Sequence, residues 1–93
     1  MEISSSANNI TIIGNIKTVS DYQSIKTTVD SVSSQNKSII IDVKDSISIT
    51  SSVIGYFNKL VLKDKIDLSM KVGNPQLLSL LDDLNLKSVF KAR

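Results

Sequence analysis

The amino-acid sequence predicts a single α/β domain, in which a small mixed β-sheet has helices packed against it. Runs rich in β-branched residues alternate along the chain with stretches of helical periodicity, which is the order typical of α/β proteins. The 93 residues are enough for one domain and too few for two cores. With 41% hydrophobic and 22% charged residues, the composition is that of a globular chain rather than a disordered one.

The N-terminal segment predicts a β-hairpin. Residues 10–16 read Ile-Thr-Ile-Ile-Gly-Asn-Ile, which is rich in β-branched residues, and Ala7-Asn8-Asn9 before them reads as a turn. Residues 2–5 supply the partner strand on the other side of that turn. The chain is therefore expected to begin with two antiparallel strands.

A helix is expected next, from about residue 20 to about residue 34. Ser20 and Asp21 offer an N-cap, and the apolar residues that follow recur at helical spacing: Tyr22, Ile25, Val29 and Val32. Residues 39–43 then read Ile-Ile-Ile-Asp-Val. A continuous apolar run of this length suits a central strand that is covered on both faces.

The second half of the chain repeats this alternation. Thr50-Ser51-Ser52 lead into a helix with one broad apolar face, formed by Val53, Ile54, Phe57, Leu60 and Val61. Apolar and polar residues alternate over 66–72, as in a half-buried strand. Gly73-Asn74-Pro75 then provides a turn, an N-cap and a proline at the first position of a third helix. Val89 and Phe90 are placed to begin a short final strand.

The predicted order is therefore β-β-α-β-α-β-α, with the short strand as an optional last element. Long helical crossovers connect parallel strands, whereas antiparallel strands need only a tight turn. No internal repeat, linker or low-complexity tract interrupts the chain, so residues 1–93 are predicted to form one domain.

The residue types that are missing restrict the chemistry. The sequence has no cysteine and no histidine, which excludes disulfides, thiolate chemistry, and the commonest general base and transition-metal ligand. Its 11 Lys and Arg residues are interspersed with 9 Asp and Glu residues, and aromatic residues for stacking on bases are few. We therefore expect no metal, no cofactor and no nucleic-acid partner. No signal peptide or membrane-spanning stretch is recognisable, which predicts a cytoplasmic protein.

Two carboxylates are the best candidates for catalysis. Asp42 and Asp45 stand at the end of the predicted central strand, where open α/β sheets place their sites. A magnesium or phosphotransfer site would also need a phosphate-binding loop, and no glycine-rich loop follows any strand. We therefore favour the interpretation that both residues are polar loop positions over the alternative that they form the site of a small phosphotransfer or hydrolytic enzyme. We expect no catalytic residue.

The hydroxyl residues at the start of the second predicted helix are a further candidate site. Thr50, Ser51 and Ser52 are suited to cap the helix, because a hydroxyl there accepts hydrogen bonds from unpaired backbone amides. The alternative is that one of these hydroxyls is a phosphorylation site. The helix dipole tolerates a phosphate at this end, and the phosphate would add charge and bulk to a contact surface.

Residues 38–55 read Ser-Ile-Ile-Ile-Asp-Val-Lys-Asp-Ser-Ile-Ser-Ile-Thr-Ser-Ser-Val-Ile-Gly, and this stretch resembles the signature segment of STAS domains. In that family, typified by bacterial anti-sigma factor antagonists, a hydrophobic strand ending in Asp or Asn leads through a short loop to an Asp-Ser-Ser-Gly-Leu-Gly helix start. Gly14-Asn15-Ile16 is similar to the end of the family's early strand, and residues 72–90 resemble its late strand, third helix and exit. Here Thr50 stands in place of the motif's Asp, and Val53 in place of its first glycine.

The resemblance implies a non-enzymatic switch in signal transduction and transcription regulation. In antagonists of this type, a partner anti-sigma factor with kinase activity phosphorylates the serine after the motif's Asp, which corresponds to Ser51, with Ser52 beside it. The unphosphorylated form binds that partner. The resemblance also implies a partner-binding surface around the loop and the first turns of the helix, formed by Asp42, Asp45, Thr50, Ser51, Ser52, Val53 and Tyr56.

A second interpretation keeps the binding function and changes the partner. STAS subunits also dock on the ATPase subunit of bacterial ABC transporters for lipid trafficking. There the helix start serves as a structural contact, and no phosphorylation is needed.

Overall fold

Four strands and three helices follow one another in the predicted order. The structure is a computed structural model that describes every residue from Met1 to Arg93. In chain order the elements are β1 (Glu2–Ser6), β2 (Asn9–Ile13), α1 (Val19–Ser33), β3 (Ser38–Lys44), α2 (Ser51–Leu62), β4 (Asp67–Val72) and α3 (Pro75–Asp83). The predicted α/β fold class is thereby confirmed.

The strands form one mixed sheet in the order β1-β2-β3-β4. β1 and β2 are the two arms of the predicted hairpin and run antiparallel. β2, β3 and β4 are parallel, with Ile10 beside Ile41 and Ile41 beside Met70. The helical crossovers account for this direction, because α1 and α2 each return the chain to the end of the sheet from which the next strand starts.

All three helices pack on one face of the sheet. In β2, β3 and β4 every second residue is buried on that face and joins the buried residues of the helices in a single core. In β3, Ile39 and Ile41 are buried, whereas Ile40 is only partly covered. Our prediction that this strand is covered on both faces is therefore wrong. Ile40 makes the apolar run continuous in sequence, but its neighbours in register, Asn9 and Ser69, are polar.

Helix α1 is capped by Thr18, not by the predicted Ser20. The Thr18 hydroxyl accepts a hydrogen bond from the Asp21 amide at 3.0 Å, and the Asp21 carboxylate accepts from the amides of Lys17 at 2.9 Å and Thr18 at 3.1 Å. These two backbone bonds hold the pKa of Asp21 below its usual value. Asp21 thus belongs to the capping arrangement as the third helical residue rather than as the cap itself.

We expect Thr18→Ala to lower the free energy of unfolding by about 1 kcal/mol, because the Asp21 amide loses its acceptor. Ser20→Ala is the matched control. Ser20 is exposed and its hydroxyl makes no hydrogen bond, so this change should stay within about 0.5 kcal/mol. Urea unfolding followed by circular dichroism measures both variants. An equal loss in the two would contradict the cap at Thr18.

A polar contact joins α1 to α2. The Tyr56 hydroxyl of α2 donates to the Asp30 carboxylate of α1 at 2.5 Å, and Lys26 pairs with the other carboxylate oxygen at 2.9 Å. Burial raises the pKa of Asp30, but the hydrogen bonds from Tyr56 and Lys26 outweigh this effect, and the net pKa lies below its usual value. Burial, followed by the bond to Asp30, raises the pKa of the Tyr56 hydroxyl. The contact therefore stabilises the helix packing while Asp30 is ionised.

Tyr56→Phe should lower the free energy of unfolding by about 1 kcal/mol at neutral pH, because it removes a charge-assisted hydrogen bond that is partly exposed to water. The pKa of Asp30 is lowered in the folded state. The stabilisation by this hydrogen bond is therefore complete above the ordinary carboxyl pKa of 3.8. It is lost as the pH falls through the lower pKa that Asp30 has in the folded protein. Unfolding curves of both proteins at neutral and strongly acidic pH test this expectation. A difference that persists in strong acid would contradict it.

The final residues run along the outer edge of β4. Ala92 forms a parallel bridge with Met70, and the Val72 amide donates to the Arg93 carbonyl at 2.8 Å. Val89 and Phe90, which were predicted to begin a final strand, lie in a turn instead, and the pairing with β4 is limited to the single bridge at Ala92. Phe90 itself is buried edge-on against Phe57, with ring centroids 5.9 Å apart.

Candidate functional site

The loop between β3 and α2 is held in place by the loop between β2 and α1. The Asn15 side chain accepts a hydrogen bond from the Ile47 amide at 2.8 Å, and the Ser48 hydroxyl donates to the Ile16 carbonyl at 3.2 Å. Within the loop, the buried Ser46 hydroxyl donates to the Ser48 carbonyl at 2.9 Å. These bonds hold the loop that leads into α2.

Thr50 caps α2. Its hydroxyl accepts a hydrogen bond from the Val53 amide at 3.3 Å, and its carbonyl accepts the first helical bond, from the Ile54 amide at 3.0 Å. Ser51 and Ser52 occupy the first two helical positions and are exposed. Helix geometry leaves their amides without acceptors inside the helix, and the first turn contains no acidic residue. The two serine hydroxyls are therefore accessible at the positive end of the helix dipole.

Val53 and Tyr56 are core residues. Val53 is fully buried, Tyr56 is 5% exposed, and both belong to the core cluster that covers the sheet. Tyr56 also packs edge to face on Tyr22, with ring centroids 6.3 Å apart. We predicted both residues as partner contacts. They offer no free surface to a partner, because α2 turns its apolar stripe toward the sheet.

Asp42 and Asp45 lie in different places. Asp42 projects from β3 on the open face of the sheet, opposite to the helices, and its carboxylate is 3.9 Å from Lys44 Nζ. Asp45 is exposed at the beginning of the loop, where its φ is 53°. The structure therefore does not bring Asp42 onto the side of the sheet that carries Ser51. No group of three or more acidic residues is placed to hold a metal ion.

A cleft of about 250 Å³ separates the starts of α1 and α2. Residues from both helix starts line it: Lys17, Thr18, Val19, Tyr22, Thr50 and Ser52. Because β2 and β3 are parallel, the helices that follow them begin at the same end of the sheet. The α1 side of this cleft was not predicted from the sequence. It could have been inferred from the predicted strand order, since two parallel neighbouring strands that each lead into a helix place the two helix starts side by side.

Apolar side chains are exposed around this end of the sheet. Val19, in the cleft, is 73% exposed, and Ile47, in the loop before α2, is 51% exposed. Ile13, the last residue of β2, is also exposed, but it alternates with the buried Ile12 and so lies on the open face of the sheet, as Asp42 does. Single exposed apolar residues are common, but two of them in adjacent connections beside one helix start indicate a contact surface. We refer to Val19, Ile47, Ser51 and Ser52 as the α2-start surface.

Comparisons with protein-family models, with curated proteins and with solved structures found no match. None of the three helices has the length and hydrophobicity that a membrane span requires. The functional assignment therefore depends on the residues and the geometry of the chain itself.

Val53→Gly, which introduces the first glycine of the STAS motif, should lower the free energy of unfolding by about 2 to 3 kcal/mol, because it removes a buried side chain and places glycine inside a helix. Gly55→Ala is the matched control in the same helix. A Cβ at Gly55 meets no atom within 4 Å, and so the alanine should raise stability by about 0.5 to 1 kcal/mol. Chemical denaturation measures both. A Val53→Gly protein as stable as the wild type would contradict the core position of Val53.

Proposed function

We propose that this protein is a non-enzymatic regulatory binding domain of the anti-sigma factor antagonist type, which binds a partner anti-sigma kinase and is switched by phosphorylation at Ser51. The α2-start surface is the observation that supports this most directly, because two exposed apolar side chains lie in the connections that meet beside two accessible serine hydroxyls. The same proposal places the protein in the bacterial cytoplasm, in signal transduction that leads to transcription.

The α2-start surface has the composition of a protein contact. A partner can bury the apolar side chains of Val19 and Ile47, while Ser51 and Ser52 offer polar contacts beside them. Because Asn15 binds the Ile47 amide, the loop is already ordered and loses little conformational freedom on binding. A preformed surface of this kind, with exposed apolar side chains, suits reversible binding of another protein.

A phosphate on Ser51 is compatible with the helix start and incompatible with a close apolar contact. The free amides of the first turn and the helix dipole favour negative charge at this position. Lys17, in the adjacent cleft, supplies a positive charge nearby. The phosphate would thus leave the fold intact while adding about two negative charges to the docking surface. A phosphorylation switch on a docking surface requires a phosphate that the fold tolerates and that the contact with the partner does not.

Ser51→Asp should raise the free energy of unfolding by about 0.5 kcal/mol, because it places a carboxylate at a helix N-terminus without acidic residues. Ser31→Asp, in the last turn of α1, is the matched control and should give no gain, because the dipole has the opposite sign there. The Ser51→Asp protein should nevertheless lose partner binding. Measuring stability and binding on the same variant separates a surface effect from a folding defect, and retained binding would contradict the switch.

The identity of the partner tests the proposal directly. The tagged protein, expressed in its native organism, should capture a histidine-kinase-like ATPase that mass spectrometry identifies. That kinase, with ATP, should add one phosphate to the wild type and to Ser52→Ala, and none to Ser51→Ala. Absence of phosphate from every variant would overturn the switch at Ser51 while leaving the binding function.

The two departures from the STAS motif favour a second partner. Thr50 uses its hydroxyl to cap α2, and Val53 packs in the core. The start of α2 is therefore rigid and suited to a permanent contact with another subunit. A subunit that docks on the ATPase subunit of a bacterial lipid-trafficking ABC transporter needs such a contact and no phosphorylation. Capture of an ABC ATPase by the wild type and by Ser51→Ala alike would support this partner instead of the kinase.

A further inference from the structure

The two edges of the sheet differ in how they are covered. The outer edge of β4 is covered by the residues that follow Phe90, where Lys91 Nζ lies 2.6 Å from the Asp67 carboxylate and Arg93 accepts a hydrogen bond from Val72. No hydrogen bond reaches the outer edge of β1 from any other element. An uncovered edge strand is a template for pairing with another chain.

The register of the hairpin identifies the free backbone groups of β1. A two-residue turn joins β1 to β2, so Ser6 and Asn9 are the closing, hydrogen-bonded pair. Hydrogen-bonded and non-hydrogen-bonded pairs alternate from there, so Ser4 bonds to β2 while Ile3 and Ser5 do not. The N–H and C=O groups of Ile3 and Ser5 therefore point outward at the bare edge.

β1 also lacks the features that usually block edge pairing. It contains no proline and no lysine, and its register with β2 runs through all five residues without a bulge. Three of its residues are serines, whose side chains are small, and Glu2 is its single charged residue. The strand is thus open to the approach of another strand.

A groove of about 380 Å³ runs beside this edge. It is lined by Ile3 of β1 and by uncharged polar residues on one flank of α1: Ser20, Gln23, Ser24, Thr27 and Thr28. No charged residue lines the groove, although 22% of the residues of the chain are charged. A second strand placed along β1 would therefore meet no charge repulsion from α1.

We propose that the protein forms a homodimer in which the β1 strands of two copies pair antiparallel and join the two sheets into one. The pairing is centred on Ser4, with Ile3 of each copy opposite Ser5 of the other. In this register every outward N–H and C=O group of Ile3 and Ser5 finds a partner. The proposal is independent of the proposed function, because β1 contributes no residue to the α2-start surface.

A second copy fits this edge because the register is self-complementary. The twofold axis passes between the two Ser4 residues, whose small side chains suit the close approach of a non-hydrogen-bonded pair. Glu2 of each copy lies opposite Ser6 of the other, so the charges of the two strands do not oppose each other. On the helix side, both copies present the same uncharged flank of α1.

Sedimentation equilibrium of the full chain over a concentration series tests the dimer. The apparent mass should rise with concentration from 10.2 kDa toward twice that value. The series extends into the millimolar range, because an interface of this size is small. Ser5→Pro removes one outward N–H and no bond to β2, and it should stay a folded monomer throughout. Ser5→Ala keeps the amide and is the matched control, which should dimerise like the wild type.

A second variant acts through charge rather than through the backbone. Ser4→Lys places two ammonium groups opposite each other at the twofold axis and should weaken the dimer by about fivefold or more at low salt. Ser4→Thr is its matched control and should keep the dimer. Circular dichroism of each variant shows that the monomer fold is retained.

Amide hydrogen exchange gives an independent measurement. The amides of Ile3 and Ser5 should exchange slowly only at concentrations where the dimer forms, whereas those of Ser4 and Ser6, which bond to β2, should be protected throughout. Two results would overturn the proposal. One is a wild-type protein that stays at 10.2 kDa over the whole series. The other is a dimer that persists unchanged in Ser4→Lys and in folded Ser5→Pro.

Discussion

The parallel pairing of β2 with β3 is the constraint on which the rest of the structure depends. It requires a crossover, which α1 provides, and the parallel pairing of β3 with β4 requires α2 in the same way. Both helices therefore start at one end of the sheet. There the two connections bind each other through Asn15 and Ser48. The cleft and the α2-start surface follow from this topology rather than from any single sequence motif.

The one-sided core explains the roles of Thr50 and Val53 at the start of α2. Because α2 lies flat on the only covered face of the sheet, its third residue, Val53, points into the core and contributes a buried side chain. Thr50 completes the helix by accepting a hydrogen bond from the same residue's amide. The exposed positions between them, Ser51 and Ser52, are thus held by a cap on one side and by the core on the other.

Two regions of the surface are suited to two different kinds of recognition. The α2-start surface offers side chains, so its selectivity would depend on the shape and charge of a partner. The edge of β1 offers backbone groups, which pair with any strand whose side chains allow approach. The two regions share no residue, so a dimer through β1 would carry two α2-start surfaces. Such a particle would bind a partner with two docking sites more tightly than a monomer does.

The sequence by itself determined the order of the elements, the hairpin, and the third helix that begins at Pro75, because these depend on local periodicity and turn chemistry. It also drew attention to Thr50, Ser51 and Ser52. The helix cap at Thr18 was missed because Ser20 is an equally good cap in sequence. Only the bonds from Asp21 to the preceding amides distinguish the two.

What only the tertiary structure decided is which faces and which distant residues meet. The apolar run of β3 reads as a fully covered strand, yet the polar neighbours that leave Ile40 on an open face come from β2 and β4. In the same way, Val53 and Tyr56 are core residues because α2 lies with its apolar side on the sheet. Val19 belongs to the α2-start surface because the parallel strands β2 and β3 place the starts of α1 and α2 side by side. These outcomes depend on contacts between residues far apart in the chain, which local patterns do not encode.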